Sequence, residues 1–356
     1  MNKETLENSK IAAHLAPWDA NENIIWLAST LSMHRNVEKF KFPAKMEAEK
    51  RKHILSLAST TLQNSELPGA FTIKAEEITP LEKNFLLEHF LIFEGFQEAH
   101  QGEAFIIDDS GCFIALLNLK DHLQLQLTDI AGDLEKTWAR LVQIENKLAS
   151  SFSFAFSQKF GFLTSDPLLA GTGLVATAYL HLPALIHLKK LSDLTEKEKN
   201  EAVLFTGLQG NPEDLVGDIL AVRNCYTLGV NEETIISTLR SAILKLLVAE
   251  KSARSQIKTE NITAIKDKIS RALGILKFSF QLDTVEALSA ISMLKFGIEL
   301  GWVRGMTVQE VNKIFFTCRR AHLNYCMKEK IPIEQVAAKR ADFLREKVKS
   351  LELLVQ

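Results

Sequence analysis

Residues 161–185 read GFLTSDPLLAGTGLVATAYLHLPAL and fall into three parts. A polar loop runs to Pro167, a small-residue turn follows at Gly171-Thr172-Gly173, and an apolar run begins at Leu174. The run is predicted to be helical, which would aim the backbone N–H groups of the turn at an anion beside a helix start. Glycine pairs ahead of apolar runs are most often only tight turns, because glycine adopts left-handed backbone without steric cost. The surrounding residues therefore have to decide what the turn is for.

The whole stretch resembles the signature of the phosphagen (ATP:guanido) kinase family, in the wording of its bacterial protein arginine kinase branch: G-Y-L-T-S-C-P-T-N-x-G-T-G-L-R-A-S, then H-L-P-A-L. Gly161, Leu163, Thr164, Ser165, Pro167, Gly171, Thr172, Gly173, Leu174, Ala176 and His181 to Leu185 match it in order and without gaps. Two chemically important positions differ. Asp166 stands where the family has a reactive cysteine, and Val175 where it has a phosphate-binding arginine.

Towards the N-terminus, Trp26 to Pro43 resembles the family segment V-L-S-S-R-I-R-L-A-R-N, which ends near F-P. Ser29, Arg35, Asn36, Phe42 and Pro43 are kept, but Thr30 and Ser32 occupy the two phosphate-clamp positions. Arg35 reads as a surface or structural ion-pair residue. Thr79-Pro80-Leu81-Glu82 is a capping box with proline at the first helical position. The helix it opens carries His89, which matches a family histidine near the nucleotide, although a lone histidine on an apolar helix face is more often a satisfied core residue. Cys112 to Leu119 and the alternating His122 to Leu127 predict an antiparallel hairpin turning at Asp121, with His122, Gln124 and Gln126 on one face. The family hairpin resembles L-N-E-E-D-H-I-R-I-Q. Here Leu119 and Lys120 replace both glutamates, and Gln124 replaces the arginine.

Towards the C-terminus, Thr195 with Glu198 predicts another capping box. A glycine-rich segment keeps Gly207, Gly210 and Gly217 but has Thr206 for the family arginine and Asn211 for the catalytic glutamate. Beyond Gly229 the apolar spacing turns helical at Ile236, Leu239, Ile243 and Leu246, and Ala249 to Arg254 resembles the family's E-R-S-A-R helix. Asp283 and the Thr307/Glu310 pair predict two more helix starts, and a last amphipathic stretch runs from Val336 to Val355. Pro332 to Val336 stands where the branch has a P-N-E-R-D arginine-phosphate motif, without its arginine or aspartate.

The totals agree with a folded, intracellular chain. At 356 residues and 46% apolar content there is room for two domains with real cores. A net charge of −2 leaves no polyanion footprint, so nucleic acid is not an expected partner. Four cysteines without CxxC spacing indicate neither a zinc site nor a disulfide framework. The polar first residues and the lack of a long apolar run predict a soluble, unexported, cytoplasmic protein without a membrane partner.

The resemblance implies an α+β fold: a small N-terminal helical part, an antiparallel sheet flanked by helices, and a C-terminal all-helical domain. The expected division is residues 1–252 and 253–356. Arginine forks bind phosphates at two points, and five are lost, at Thr30, Ser32, Gln124, Val175 and Thr206. The acceptor side has lost its carboxylates at Lys120 and Asn211. What the resemblance then implies is a protein arginine kinase homologue without transfer activity, having no cofactor or metal, with His89, Gly171, Thr172 and Gly173 retained as framework. Such a pseudokinase would be a homodimer serving Clp-type protein quality control, with a small zinc-binding activator protein and an AAA+ Clp unfoldase as partners. The alternative is an active, Mg-ATP-dependent protein arginine phosphotransferase with relocated site residues. Asp166, Asp121, His122 and His89 could supply acid–base groups, but their spacing matches no known metal or catalytic motif.

Overall fold

The computed structural model describes residues 23–63, 67, 69–90, 101–197, 202–208, 210–211, 214–260 and 262–354. Its centre is one antiparallel sheet of eight strands. In chain order these are β1 (Trp26–Arg35), β2 (Phe71–Lys74), β3 (Ala104–Ile107), β4 (Phe113–Leu117), β5 (Leu123–Asp129), β8 (Leu174–His181), β9 (Val203–Gly207) and β10 (Ile219–Asn224). A separate small hairpin joins β6 (Phe156–Ser157) to β7 (Gly161–Phe162). The strand order is β2-β3-β4-β5-β1-β8-β10-β9, so the first described strand lies inside the sheet, between β5 and β8.

Side chains alternate across a strand, and the alternation gives the sheet two different faces. Leu31, Met33, Leu125, Leu127, Ala176, Ala178 and Leu180 belong to the main core. That face packs against α3 (Leu134–Ala149) and α6 (Glu232–Glu260), with α1 (Ala48–Gln63) against α3. On the opposite face, α2 (Pro80–Phe90) covers only the β2–β4 end, where Phe85, Leu86 and Phe90 pack with Phe105, Ile107, Ile114 and Leu116. The rest of this second face, on β5, β1, β8, β10 and β9, is where the candidate site lies.

After β8 come α4 (Pro183–His187) and α5 (Leu191–Lys197). The C-terminal region consists of α7 (Thr263–Phe278), α8 (Thr284–Glu299), α9 (Val308–Thr317), α10 (Arg320–Met327) and α11 (Val336–Lys347), with a short β11–β12 pair at Val303–Arg304 and Glu352–Leu353. Every residue from Ala290 to Gly297 of α8 is buried, as expected of a helix enclosed by α7, α9 and the turn at Val216–Asp218. α6 runs unbroken from residue 232 to 260 and so passes from beneath the sheet towards this helical layer.

Several local predictions hold. β4 and β5 form the hairpin, Thr79 and Glu82 exchange capping hydrogen bonds, Asp283 caps α8, and Thr307 with Glu310 makes a complete capping box. Two need correction. The run after Gly173 is strand β8, not a helix. Leu174, Ala176, Ala178 and Leu180 fill the core while Val175, Thr177 and Tyr179 face the other way. The period is two, but apolar residues on both faces conceal it. Thr195 is no cap either, since it sits inside α5 with its hydroxyl donating to Leu191 O; its expected partner Glu198 lies outside the described residues. Val355, the last residue of the expected amphipathic stretch, lies outside them too.

Candidate functional site

The cross-strand register brings together the five positions at which the resemblance leads one to expect phosphate-binding arginines. Ser32 is opposite Val175 on β8 and Gln126 on β5, Thr30 is opposite Thr177 and Thr128, and His34 is opposite Gln124. Thr206 on β9 is opposite Ala221, which pairs in turn with Tyr179. Thr30, Ser32, Gln124, Val175 and Thr206 therefore share one face of the sheet.

That face is closed at one end and open at the other. Thr30 and Ser32 are each only 6% exposed. The Thr30 hydroxyl is hydrogen-bonded to the buried Tyr179 phenol, and Gln124 Nε2 donates to Ser32 Oγ at 3.2 Å. Burial raises the Tyr179 pKa, so the phenol stays neutral. Gln126 Nε2 donates to Phe90 O at 2.7 Å and so ties the end of α2 to β5. Val175 and Thr206 are half-buried, whereas Leu204 and Arg223 are exposed. Arg223 is opposite Thr177 and Leu204, on the same face, and its guanidinium has no hydrogen-bond or ion-pair partner among the described residues. No motif in the sequence marks Arg223, but the alternation of ILAVRN places it on the same face as Ala221.

The loops beside this face are built from the residues that match the family text. Arg35 is 1% exposed; its Nε binds the Glu145 carboxylate and its Nη1 donates to His34 O and Thr172 O, both at 2.8 Å. The guanidinium lies 3.5 Å from the centre of the Phe162 ring. Gly171 and Gly173 have φ of 108° and 60°, and the turn they form leads into a strand rather than a helix. The N–H groups of Gly171 and Thr172 donate to Phe162 O and Thr227 O, while Leu174 N–H donates to Thr172 Oγ1. The turn thus spends these donors within the protein.

The acid–base candidates are similarly occupied. Asp121 is buried, accepting from Asn36 Nδ2 at 2.6 Å and Ser165 N–H at 2.7 Å, with His34 Nδ1 at 3.0 Å. Burial alone would raise its pKa, but the His34, Asn36 and Ser165 hydrogen bonds outweigh that and hold the carboxyl below the usual range. His122 Nδ1 accepts from Val37 N–H and its Nε2 lies 3.0 Å from Lys41 O, which fixes the Nε2–H tautomer, and burial lowers its pKa. His89 is buried in a stack with Phe85 and with His322 of α10. Asp166 is exposed and caps the short turn at Pro167–Leu169 by accepting from Leu168 N–H. Lys120, in the turn between β4 and β5, and Asn211, in the loop after β9, are both exposed. No group of three or more potential metal ligands occurs among the described residues, and no described helix is long and apolar enough to cross a membrane.

The family model for the ATP:guanido phosphotransferase C-terminal catalytic domain matches residues 52–253, and that for the protein-arginine kinase McsB C-terminal domain matches 262–354. The chain belongs to the ATP:guanido phosphotransferase family. It is 38% identical to a protein-arginine kinase of Chlamydia pneumoniae over 85% of this chain and 84% of that one. To a protein-arginine kinase of Bacillus cereus it is 29% identical over 94% and 96%. Among solved structures, lombricine kinase superposes with a TM-score of 0.57 at 17% identity, covering 69% of this chain and 71% of that one. The duplicated taurocyamine kinase of Schistosoma mansoni also gives 0.57, at 21% identity, over 64% of this chain and only 33% of that one. At these identities the two structures establish the phosphagen kinase fold alone.

Proposed function

We propose that this ATP:guanido phosphotransferase relative is a protein-arginine kinase homologue that no longer transfers phosphoryl groups and acts by binding other proteins. The observation that carries the reading is the sheet face itself. The five positions that the resemblance assigns to family arginines share that face and none of the five carries a cation, and two of them, Thr30 and Ser32, are buried and hydrogen-bonded to neighbouring side chains. A charge-assisted hydrogen bond contributes about 1.5–3 kcal/mol, so losing several would cost at least ~5 kcal/mol of nucleotide binding even with strong non-additivity. Phosphoryl transfer depends almost wholly on such positioning and charge. On the acceptor side, Lys120 and Asn211 offer no carboxylate to orient a guanidinium or take its proton.

The role that follows is a cytoplasmic interaction or regulatory component of Clp-type quality control. Residues 1–252 would keep the kinase shape and 253–356 would mediate homodimerisation. A zinc-binding activator protein and an AAA+ Clp unfoldase are the partners this reading suggests. The second reading, an active Mg-ATP-dependent kinase with a relocated site, is favoured by Arg223, an unpaired guanidinium on the open part of the same face. Mass spectrometry for phosphoarginine, after incubating the chain with Mg-ATP and an unfolded protein substrate, separates the two. No product is expected. Robust ATP-dependent product that disappears in Arg223→Met would establish the second reading.

A further inference from the structure

Behind the sheet, at its junction with the helical layer, lies an open groove of ≈690 Å³. This is within the size range of ligand pockets, roughly 300–1,000 Å³. Its walls are Ile24 and Trp26 from the start of β1, Leu247 from α6 and Leu300 from the end of α8, and Ile24 is 45% exposed. Along one side α6 presents Lys251 and Lys258, both exposed and without a hydrogen-bond or ion-pair partner among the described residues. Seven residues of helix separate them by about 10 Å on the same face. Between them, Arg254 is committed to Glu250, Glu299 and His181 O, so it neutralises the groove's carboxylate and adds no free charge. Ser255 completes that side with an exposed hydroxyl.

We propose that this groove binds an extended acidic peptide segment of a partner protein, with two carboxylates on one face and an apolar side chain between them. In an extended strand alternate side chains point to opposite faces, so the carboxylates and the apolar side chain that face the groove sit two residues apart, and two glutamates four apart span roughly 13 Å, a distance the flexible lysine stems reach by splaying; the motif is Glu-x-Leu-x-Glu. The two ammonium groups receive the carboxylates while Trp26, Leu247 and Leu300 take the apolar side chain. The chain's net charge is −2, so the attraction is local to this groove rather than a field of the whole protein. The proposal goes beyond the loss of transfer activity and does not depend on it, because the groove is behind the sheet and the arginine positions are in front.

Fluorescence anisotropy of labelled Gly-Glu-Ser-Leu-Ser-Glu-Gly against the full chain tests it. Saturable binding is expected that weakens with added salt, and weakens roughly tenfold or more in the double variant K251E/K258E. The version with glutamine for both glutamates should bind as weakly as the double variant does. Ser255→Trp, which fills the groove without changing charge, should abolish binding while thermal unfolding stays that of the parent. The proposal is overturned if the peptide fails to saturate at millimolar protein, or if the glutamine version binds equally well. Decanoate binding in place of the peptide would overturn it, as would K251E/K258E dissociating a dimer, since the occupant would then be a small amphiphile or a second copy.

Discussion

At Gly171 the backbone has φ 108°, and a Cβ there would lie 2.2 Å from Thr227 O, in the loop that closes over the turn. The same residue exchanges two backbone hydrogen bonds with Phe162, whose ring lies under the Arg35 guanidinium. A side chain at 171 would therefore push apart the turn, the 225–229 loop and the Arg35 clamp together. Gly171→Ala is expected to cost about 2–3 kcal/mol, read as a lower midpoint in thermal denaturation. Gly210 makes the control: it too has positive φ, 83°, but a Cβ there would meet nothing within 4 Å. Its alanine variant should lose only about 1 kcal/mol. Equal losses at the two positions would mean that strain in φ, not the close approach to Thr227, makes 171 a glycine. On either outcome the turn is understood as a joint between loops, and that is why its match to the family text speaks for ancestry more than for activity.

α2 and α10 are docked through one carboxylate. Glu88 accepts from the N–H groups of Ala321 and His322 and lies 2.8 Å from His322 Nδ1, while Arg319 donates to the Glu88 carbonyl. Burial would raise the Glu88 pKa, but the His322 hydrogen bond and nearby cations more than offset it and hold it below the usual range. A depressed carboxyl contributes stability above its unfolded pKa, near 4.3, and loses it as pH falls through the folded value. Glu88→Ala should destabilise the chain by about 3 kcal/mol at neutral pH and speed hydrogen exchange in both helices, with the difference from the parent shrinking in acid. A pH-independent difference would show that the side chain acts by packing. None of this was legible in the sequence, because Glu88 and His322 are far apart in the chain and neither belongs to a motif. What could be read was local: caps whose two residues are three apart, and a hairpin whose polar and apolar faces differ. The period of β8 is hidden in the sequence because Val175 and Tyr179 make its second face nearly as apolar as the first. The candidate site positions come from the resemblance in wording, whereas their shared face and the closure around Thr30 and Ser32 depend on strand register, which only the folded chain supplies.

Taken as a whole, the molecule is held together where the sheet meets the helical layer by polar groups withdrawn from water. Glu250 and Arg254 of α6 link the start of α4, the end of β8 and Glu299 of α8, and Ser292 of α8 joins His181 to Asp218. Lys295 sits among them, donating to Asn23 O at 3.1 Å, with Glu299, Arg254 and His181 as its charged or titratable neighbours. Burial lowers its pKa to about 7, against the partial compensation of Glu299. The unfolded chain keeps this proton up to about pH 10.4, whereas the folded chain releases it near 7. Between those values the unfolded state binds more protons, so this group makes stability rise with pH. Lys295→Met should abolish the rise and stabilise the chain by about 1–4 kcal/mol at about pH 6, because Glu299 keeps Arg254 and is not left unpaired. Chemical denaturation of parent and variant at about pH 6 and about pH 9 measures both effects. If the parent is no more stable at the higher pH, or if the methionine variant is weaker at the lower one, Lys295 is held charged by its neighbours and its ammonium strengthens the junction between sheet and helices.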